Sequence, residues 1–215
     1  MTRILAPTKD NIEVAAHAIL DGQLVAFPTE TVYGLGANAL DGQAVARIFA
    51  AKGRPSFNPL ISHASDMAML APHVGFDERA RQLAAHFWPG PLTLILPRTS
   101  SSTLSELVSA GLPTAAVRIP DHPVALDLIR AAGVPIAAPS ANRSGTLSPT
   151  SPHYVAESLG EAVDIILAGG PSKVGLESTV VDLSGPETLV LRPGAITAED
   201  IGEVLGCLVS YHTET

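Results

Sequence analysis

Apolar runs in this chain are short. Residues 24–27, 59–61, 92–96, 114–119, 135–138, 164–167, 179–183 and 189–191 are apolar or nearly so, each three to six residues long, and turn residues or amphipathic stretches separate them. Runs of that length bounded by Gly, Pro and Asp read as buried strands rather than helices. Their alternation with helical patterns predicts a layered α/β (α+β) domain, and several intervals are too short for a helical crossover, so strand directions must be mixed. The connecting loops then carry the chemistry.

The helical patterns have recognisable ends. Thr8 caps residues 9–20, where Ile12, Ala15, Ala16, Ile19 and Leu20 form one stripe, and Asp21-Gly22 stops it. Asp41 or Asn38 opens a second helix that ends at Lys52-Gly53. Ser65 is expected to cap residues 66–70, and residues 77–87 run up to WPGP, where Trp88 packs the joint between helix and sheet. In HPVALDLI the proline suits the first helical turn. Thr150 is expected to cap residues 152–159, and Thr197 opens a last helix toward Leu205.

Composition narrows the function. With 46% hydrophobic and 16% charged residues in 215, the chain can bury a large core. No apolar run nears the roughly 18 residues of a membrane span, MTRILAPTKD lacks a signal-peptide core, and one cysteine, Cys207, cannot close an internal disulfide. A cytoplasmic protein without a membrane partner is expected. The net charge of -8, from 13 Lys and Arg against 21 Asp and Glu, argues against a large exposed nucleic-acid surface but leaves room for a concave basic pocket. Lys52, Arg54, Arg118, Arg143 and Arg192 all sit in Gly, Pro or Ser contexts. Dinucleotide and P-loop fingerprints, HExxH, GxSxG, a cysteine metal motif and an RNP-like aromatic motif are absent from the sequence.

Two loops stand out. KGRPSFNPLISH at residues 52–63 holds a lysine and an arginine in a proline-stiffened turn, which is either a solvated turn or a site for phosphate or carboxylate. The strand at 59–61 delivers His63 to a sheet edge or cleft, where it reads as a satisfied histidine or a base. APSANRSGTLSPT at residues 138–150 follows a strand directly and presents Ser140, Asn142, Ser144, Thr146 and Ser148 beside Arg143, groups suited to phosphate, ribose or base. PTETVYGLG at residues 28–36 reads as a third loop, with Glu30 either a general base or a paired carboxylate.

Seven motifs in order resemble the threonylcarbamoyl-AMP synthase family, the YrdC-like or Sua5-like domain: PTETVYGLG, KGRPSFNPLISH, FWPGPLTLIL, VRIPDHP, APSANRSGTLSPT, GLESTVVDL and LRPG. The resemblance covers nearly the whole chain to about residue 206 and implies a twisted mixed sheet with flanking helices, YrdC/RibB-like, around a deep basic cleft. It implies a catalytic domain over 1–206 with a tail at 207–215. The implied reaction joins L-threonine, bicarbonate and ATP into L-threonylcarbamoyl-AMP and pyrophosphate for tRNA N6-threonylcarbamoyladenosine modification. The threonine amine is carboxylated, and the carbamate oxygen attacks the α-phosphorus.

Carried over residue by residue, Thr31, His63, Arg118, Ala138 and Ser178 resemble the threonine side, with Arg118 on the substrate carboxylate. Lys52, Arg54, Asn58, Thr114, Ser140, Asn142, Ser148 and Arg192 resemble the ATP side; Lys52, Arg54, Ser140 and Asn142 are the implied catalytic set. Mg2+ accompanies ATP, with no dedicated metal cage and no tightly bound organic cofactor, and no side chain stands out as general base. Implied partners are the downstream tRNA threonylcarbamoyl-transferase machinery and double-stranded RNA or tRNA. An RNA-binding or ribosome-associated module without synthesis is the competing class. A related carbamoyl-adenylate-forming domain of hydrogenase maturation is the competing enzyme. Ending at Thr215, the chain reads as a complete short form or as a shortened long form.

Overall fold

The computed structural model describes residues 1–212. Strands β1 Arg3–Leu5, β2 Val25–Phe27, β3 Gly34–Asn38, β4 Ile61–His63, β5 Leu92–Pro97, β6 Thr114–Arg118, β7 Ile136–Ala137, β8 Ile165–Leu167, β9 Thr179–Asp182, β10 Leu189–Arg192 and β11 Ser210–Tyr211 form one mixed sheet. Their order is β1-β8-β2-β3-β7-β4-β6-β5-β9-β10-β11. Helices α1 Lys9–Leu20, α2 Gly42–Lys52, α3 Met67–Leu70, α4 Glu78–Phe87, α5 Pro123–Ala132, α6 Pro152–Leu159 and α7 Ala198–Leu205 flank it. The expected mixture of directions is present: β4 runs parallel to β6 and β5 to β9, while β3, β7 and β4 alternate.

Two apolar clusters cover the sheet. One packs α1 and α5 onto Val25, Phe27, Ile136, Ile165 and Leu167. The larger gathers α2, α4 and α7 against Leu35, Leu92, Leu94, Val117 and Val181. Side chains alternate along a strand, so burying Leu92, Leu94 and Val117 on one face turns Ile95, Ala116 and Arg118 to the other. That second face, over β4, β6, β5 and β9, lines a cleft.

Local chemistry decided several ends differently from expectation. Asp66, not Ser65, caps α3, and Ser151, not Thr150, caps α6; in each case the neighbouring side chain reaches the backbone amide of the third helical residue. The strand expected at 59–61 lies at Ile61–His63, because Leu60 turns inward to bond Val108. Two short strands without an apolar pattern, β1 and β11, escape sequence reading. The second lies within the stretch expected as a tail and pairs with β10; residues 213–215 of that stretch lie outside the described residues.

The glycines read as a loop in YGLG are β3. A Cβ on Gly36 would stand 2.7 Å from the Phe27 ring, 2.8 Å from Ile136 and 3.0 Å from the Val25 carbonyl. Glycine is there because the sheet closes tightly over it. Gly36→Ala is therefore expected to destabilise the protein by about 1–3 kcal/mol through overpacking, read as a lower urea midpoint at unchanged slope.

Candidate active site

The cleft encloses about 380 Å³. Its floor is a row across the sheet, with Ile61 beside Ala116 and Ala116 beside Ile95, and parallel pairing of β4 and β6 sets His63 next to Arg118 at one end. Arg54, Ser140, Glu177 and Arg192 line it further along, with Thr31, Ala138 and Ser178 completing the wall. Residues from all seven motifs thus meet in one space.

The Ser- and Asn-rich loop is held by β3 and by Lys52. Leu35 N–H donates to the Pro139 carbonyl, Tyr33 N–H to the Pro149 carbonyl, and Ser144 N–H to the Lys52 carbonyl. Lys52 ends α2 and is only 3% exposed. Its Nζ donates to the carbonyls of Ser140 and Asn142, both at 2.5 Å. Burial, and then the Arg54 charge, push its pKa down to about 8 against an opposing pull from Glu177. Asn142 Nδ2 donates to the carbonyls of Arg143 and Thr146 at 3.0 and 2.9 Å, so its amide braces the loop from within.

Arg118 is buried to the same degree as Lys52 and anchored at three points. Nε donates to the Gly90 carbonyl, Nη1 to the Thr31 hydroxyl at 3.1 Å, and Nη2 to Glu30 Oε1. Glu30 Oε2 accepts from the Asp121 backbone at 2.6 Å. Of the two readings open for Glu30, the paired carboxylate is the one found. A guanidinium has five N–H groups, so two on Arg118 are left over from these contacts among the described residues.

His63 lies in an interior strand between β7 and β6 and lines the cleft, so of the two placements open for it, sheet edge or cleft, the cleft is the one found. Burial and then the Arg118 charge push its pKa down to about 3, more than its contacts with the Ile61 and Ile136 backbone restore. A neutral ring with Nδ1 at 3.2 Å from the Ile61 carbonyl carries its proton on that nitrogen. Such a group accepts a proton poorly at neutral pH. It is placed to contact a ligand.

The remaining expected residues divide. Arg192 donates to the Ser178 carbonyl at 3.0 Å, the Ser178 hydroxyl at 3.1 Å and Glu177 Oε2 at 2.5 Å. Ser148 donates to Glu177 Oε1 at 2.8 Å. Asn58 and Thr114 are half-buried and outside the cleft lining; Thr114 lies two residues before Ala116, on the same strand face. Sequence reasoning missed Glu177 as a site residue. The available signal was a carboxylate in the Gly-Leu-Glu-Ser turn leading into a buried strand. Gly194 lets that turn close: a Cβ there would meet the Glu177 carbonyl and Thr179 hydroxyl at 2.7 Å.

Residues 17–194 match the Sua5_yciO_yrdC family, described as Telomere recombination. The chain belongs to this family. Among members of the Sua5_yciO_yrdC family, it is 52% identical over 198 residues to the threonylcarbamoyl-AMP synthase of Pyrococcus abyssi, across 91% of this chain and 57% of that protein. It is 50% identical over 207 residues to the Bacillus subtilis enzyme of the same name, across 96% of this chain and 60% of that one. The structure of P. abyssi Sua5 complexed with L-threonine superposes with a TM-score of 0.92 at 48% identity, over 99% of this chain and 62% of that chain. The chain spans less than two thirds of the length of these family members.

Two expectations follow for this family site. Glu30→Gln leaves the Arg118 charge buried without its partner and should cost about 3–5 kcal/mol in urea unfolding, while adding Arg118→Met should recover most of that loss. Lys52 has a folded pKa of about 8 against 10.5 for the free side chain, so the unfolded chain binds more protons between those values. Its contribution to stability then rises with pH across that window, by at most about 1.4 kcal/mol per pH unit. Unfolding free energies of wild type and Lys52→Met, compared from pH 8 to pH 10, should show the slope only in wild type.

Proposed function

We propose that this chain forms L-threonylcarbamoyl-AMP from L-threonine, bicarbonate and ATP, releasing pyrophosphate, with the catalytic unit within residues 1–206. The observation that carries this reading is the single cleft lined by the buried Arg118 at one end and by Arg54 and Arg192 further along, guanidinium groups suited to a carboxylate and to phosphates. The names borne by the P. abyssi and B. subtilis relatives, and the threonine in the P. abyssi complex, agree with it.

In this reading the threonine carboxylate takes the two free N–H groups of Arg118, while Thr31, His63, Ala138 and Ser178 surround its side chain and amine. The amine displaces the hydroxyl of bicarbonate, which leaves as water, and forms the carbamate. A carbamate oxygen then attacks the α-phosphorus of ATP, and the bond to the β-phosphate breaks to release pyrophosphate. Arg54 and Arg192 stabilise the charge on the phosphates, and Lys52 acts through the loop whose carbonyls it holds and through its remaining proton. Ser140, Asn142 and Ser148 shape the adenylate side, with Asn58 and Thr114 at its outer margin. Preorganised charge does the work, without a covalent nucleophile.

The described residues contain no group of three or more His, Cys, Asp or Glu that could hold a metal ion. Mg2+ carried by the phosphates of ATP and by water requires no such cage. No described helix is long and apolar enough to cross a membrane. The product is a reactive mixed anhydride, and its consumer is proposed to be a tRNA-modifying transferase.

The test is pyrophosphate release by the purified chain with MgATP in a matrix omitting L-threonine or bicarbonate, with the adenylate identified by mass. Dependence on both and the threonylcarbamoyl-AMP mass are expected. ATP and RNA binding without release would turn the reading to a binding module. In the same assay Arg118→Lys should raise the KM for threonine at least tenfold with little change in the KM for ATP.

A further inference from the structure

The phosphate end of the cleft contains an anion of its own. Glu177 lies in the turn before β9, its side chain 34% exposed at the cleft wall, where an entering ligand can reach it. Its two oxygens are taken by Arg192 at 2.5 Å and by Ser148 at 2.8 Å. Burial pushes the carboxyl up, but the Arg192 charge, the Ser148 and Ser140 hydroxyls and the Lys52 charge outweigh it and hold the group below the usual glutamate value. The same carboxylate acts on Lys52 and Arg54, supporting the charged form of each. One anion therefore serves three cations from two separate segments.

Arg54 shows that this compensation is incomplete. Its side chain makes one hydrogen bond, to the Pro59 carbonyl at 3.1 Å, and its buried Nε has no partner among the described residues. At the other end of the cleft Glu30 pairs with Arg118, so among the described residues Glu177 is the carboxylate that offsets the charge of Lys52, Arg54 and Arg192. Three like charges this close repel through a medium less polar than water, and an internal anion lowers that repulsion while no ligand is bound.

We infer that Glu177 is a resident counter-ion of the phosphate end: it holds Arg192 in the absence of ligand, yields it to an incoming phosphate, and takes it back as pyrophosphate leaves. It is a positioning residue, and the inference rests on the cleft being the nucleotide site proposed above. The exchange swaps one anion for another on Arg192, so binding gains less than it would at a bare guanidinium and release is faster. Affinity for the phosphate chain is held down in favour of turnover.

The experiment is calorimetric titration of pyrophosphate, ATP and adenosine into wild type, Glu177→Gln and Glu177→Asp, at low and high salt, beside steady-state turnover. Removing the charge while keeping the shape should tighten pyrophosphate about tenfold at low salt, and the gain should shrink as salt rises. Adenosine affinity should stay unchanged, kcat and the KM for ATP should fall together, and Glu177→Asp should return pyrophosphate affinity toward wild type. Unchanged or weaker pyrophosphate binding by Glu177→Gln, with wild type binding normally, overturns the counter-ion role alone. Wild type that binds neither pyrophosphate nor ATP removes the nucleotide reading and this inference with it.

If Glu177→Gln fails to fold, a crystal structure of the wild-type chain with pyrophosphate makes the same decision. Arg192 on the pyrophosphate and apart from Glu177 is expected. An Arg192–Glu177 bond kept intact beside bound pyrophosphate overturns the proposal.

Discussion

A buried ammonium holds the site together. Lys52 is the last residue of α2, where the helix carbonyls favour positive charge, and it reaches the Ser140 and Asn142 carbonyls of a loop far away in sequence. An amine in this position must be solvated by the protein, and backbone carbonyls are the acceptors that do so without adding charge. Because those carbonyls belong to the loop that follows β7, satisfying the lysine also sets the loop's path. Ser140 then lines the cleft, and Asn142 turns inward to brace the segment up to Thr146.

The same economy runs through the cleft. Three of the site's four cations have partners from another motif: carbonyls for Lys52, Glu30 for Arg118, Glu177 for Arg192. These pairings keep charge in a water-poor space before any ligand arrives. A ligand anion entering here exchanges partners with groups already desolvated and oriented, so part of the ordering cost of binding has been met during folding. His63 fits this picture as a neutral group beside Arg118, since a second positive charge there would be opposed by both burial and repulsion.

Much of the architecture is legible in local pattern. The stripes of α1 and α2, the caps Thr8 and Thr197 and the proline at the start of α5 all act within a few residues. Where two adjacent polar residues compete for a cap, as Ser65 with Asp66 or Thr150 with Ser151, pattern does not separate them and the chain's entry angle does. β3 was hidden for a different reason. Its glycines carry a turn signal, and only the closeness of Phe27 and Ile136 explains why a strand needs them.

By itself the sequence determined the alternation of strands and helices, the mixed sheet, and the small set of cations and short polar side chains available for chemistry. It did so because helical and strand periods, turn residues and caps are local, and because ordered motifs keep their residue types in place. Only the tertiary structure decided which cation meets which anion. Glu30 became the partner of Arg118, Glu177 that of Arg192, and Lys52 went to carbonyls rather than to open solvent. Those choices depend on strand register and on loops crossing between distant strands, and electrostatic pairing follows distance in space, which no spacing along the chain records.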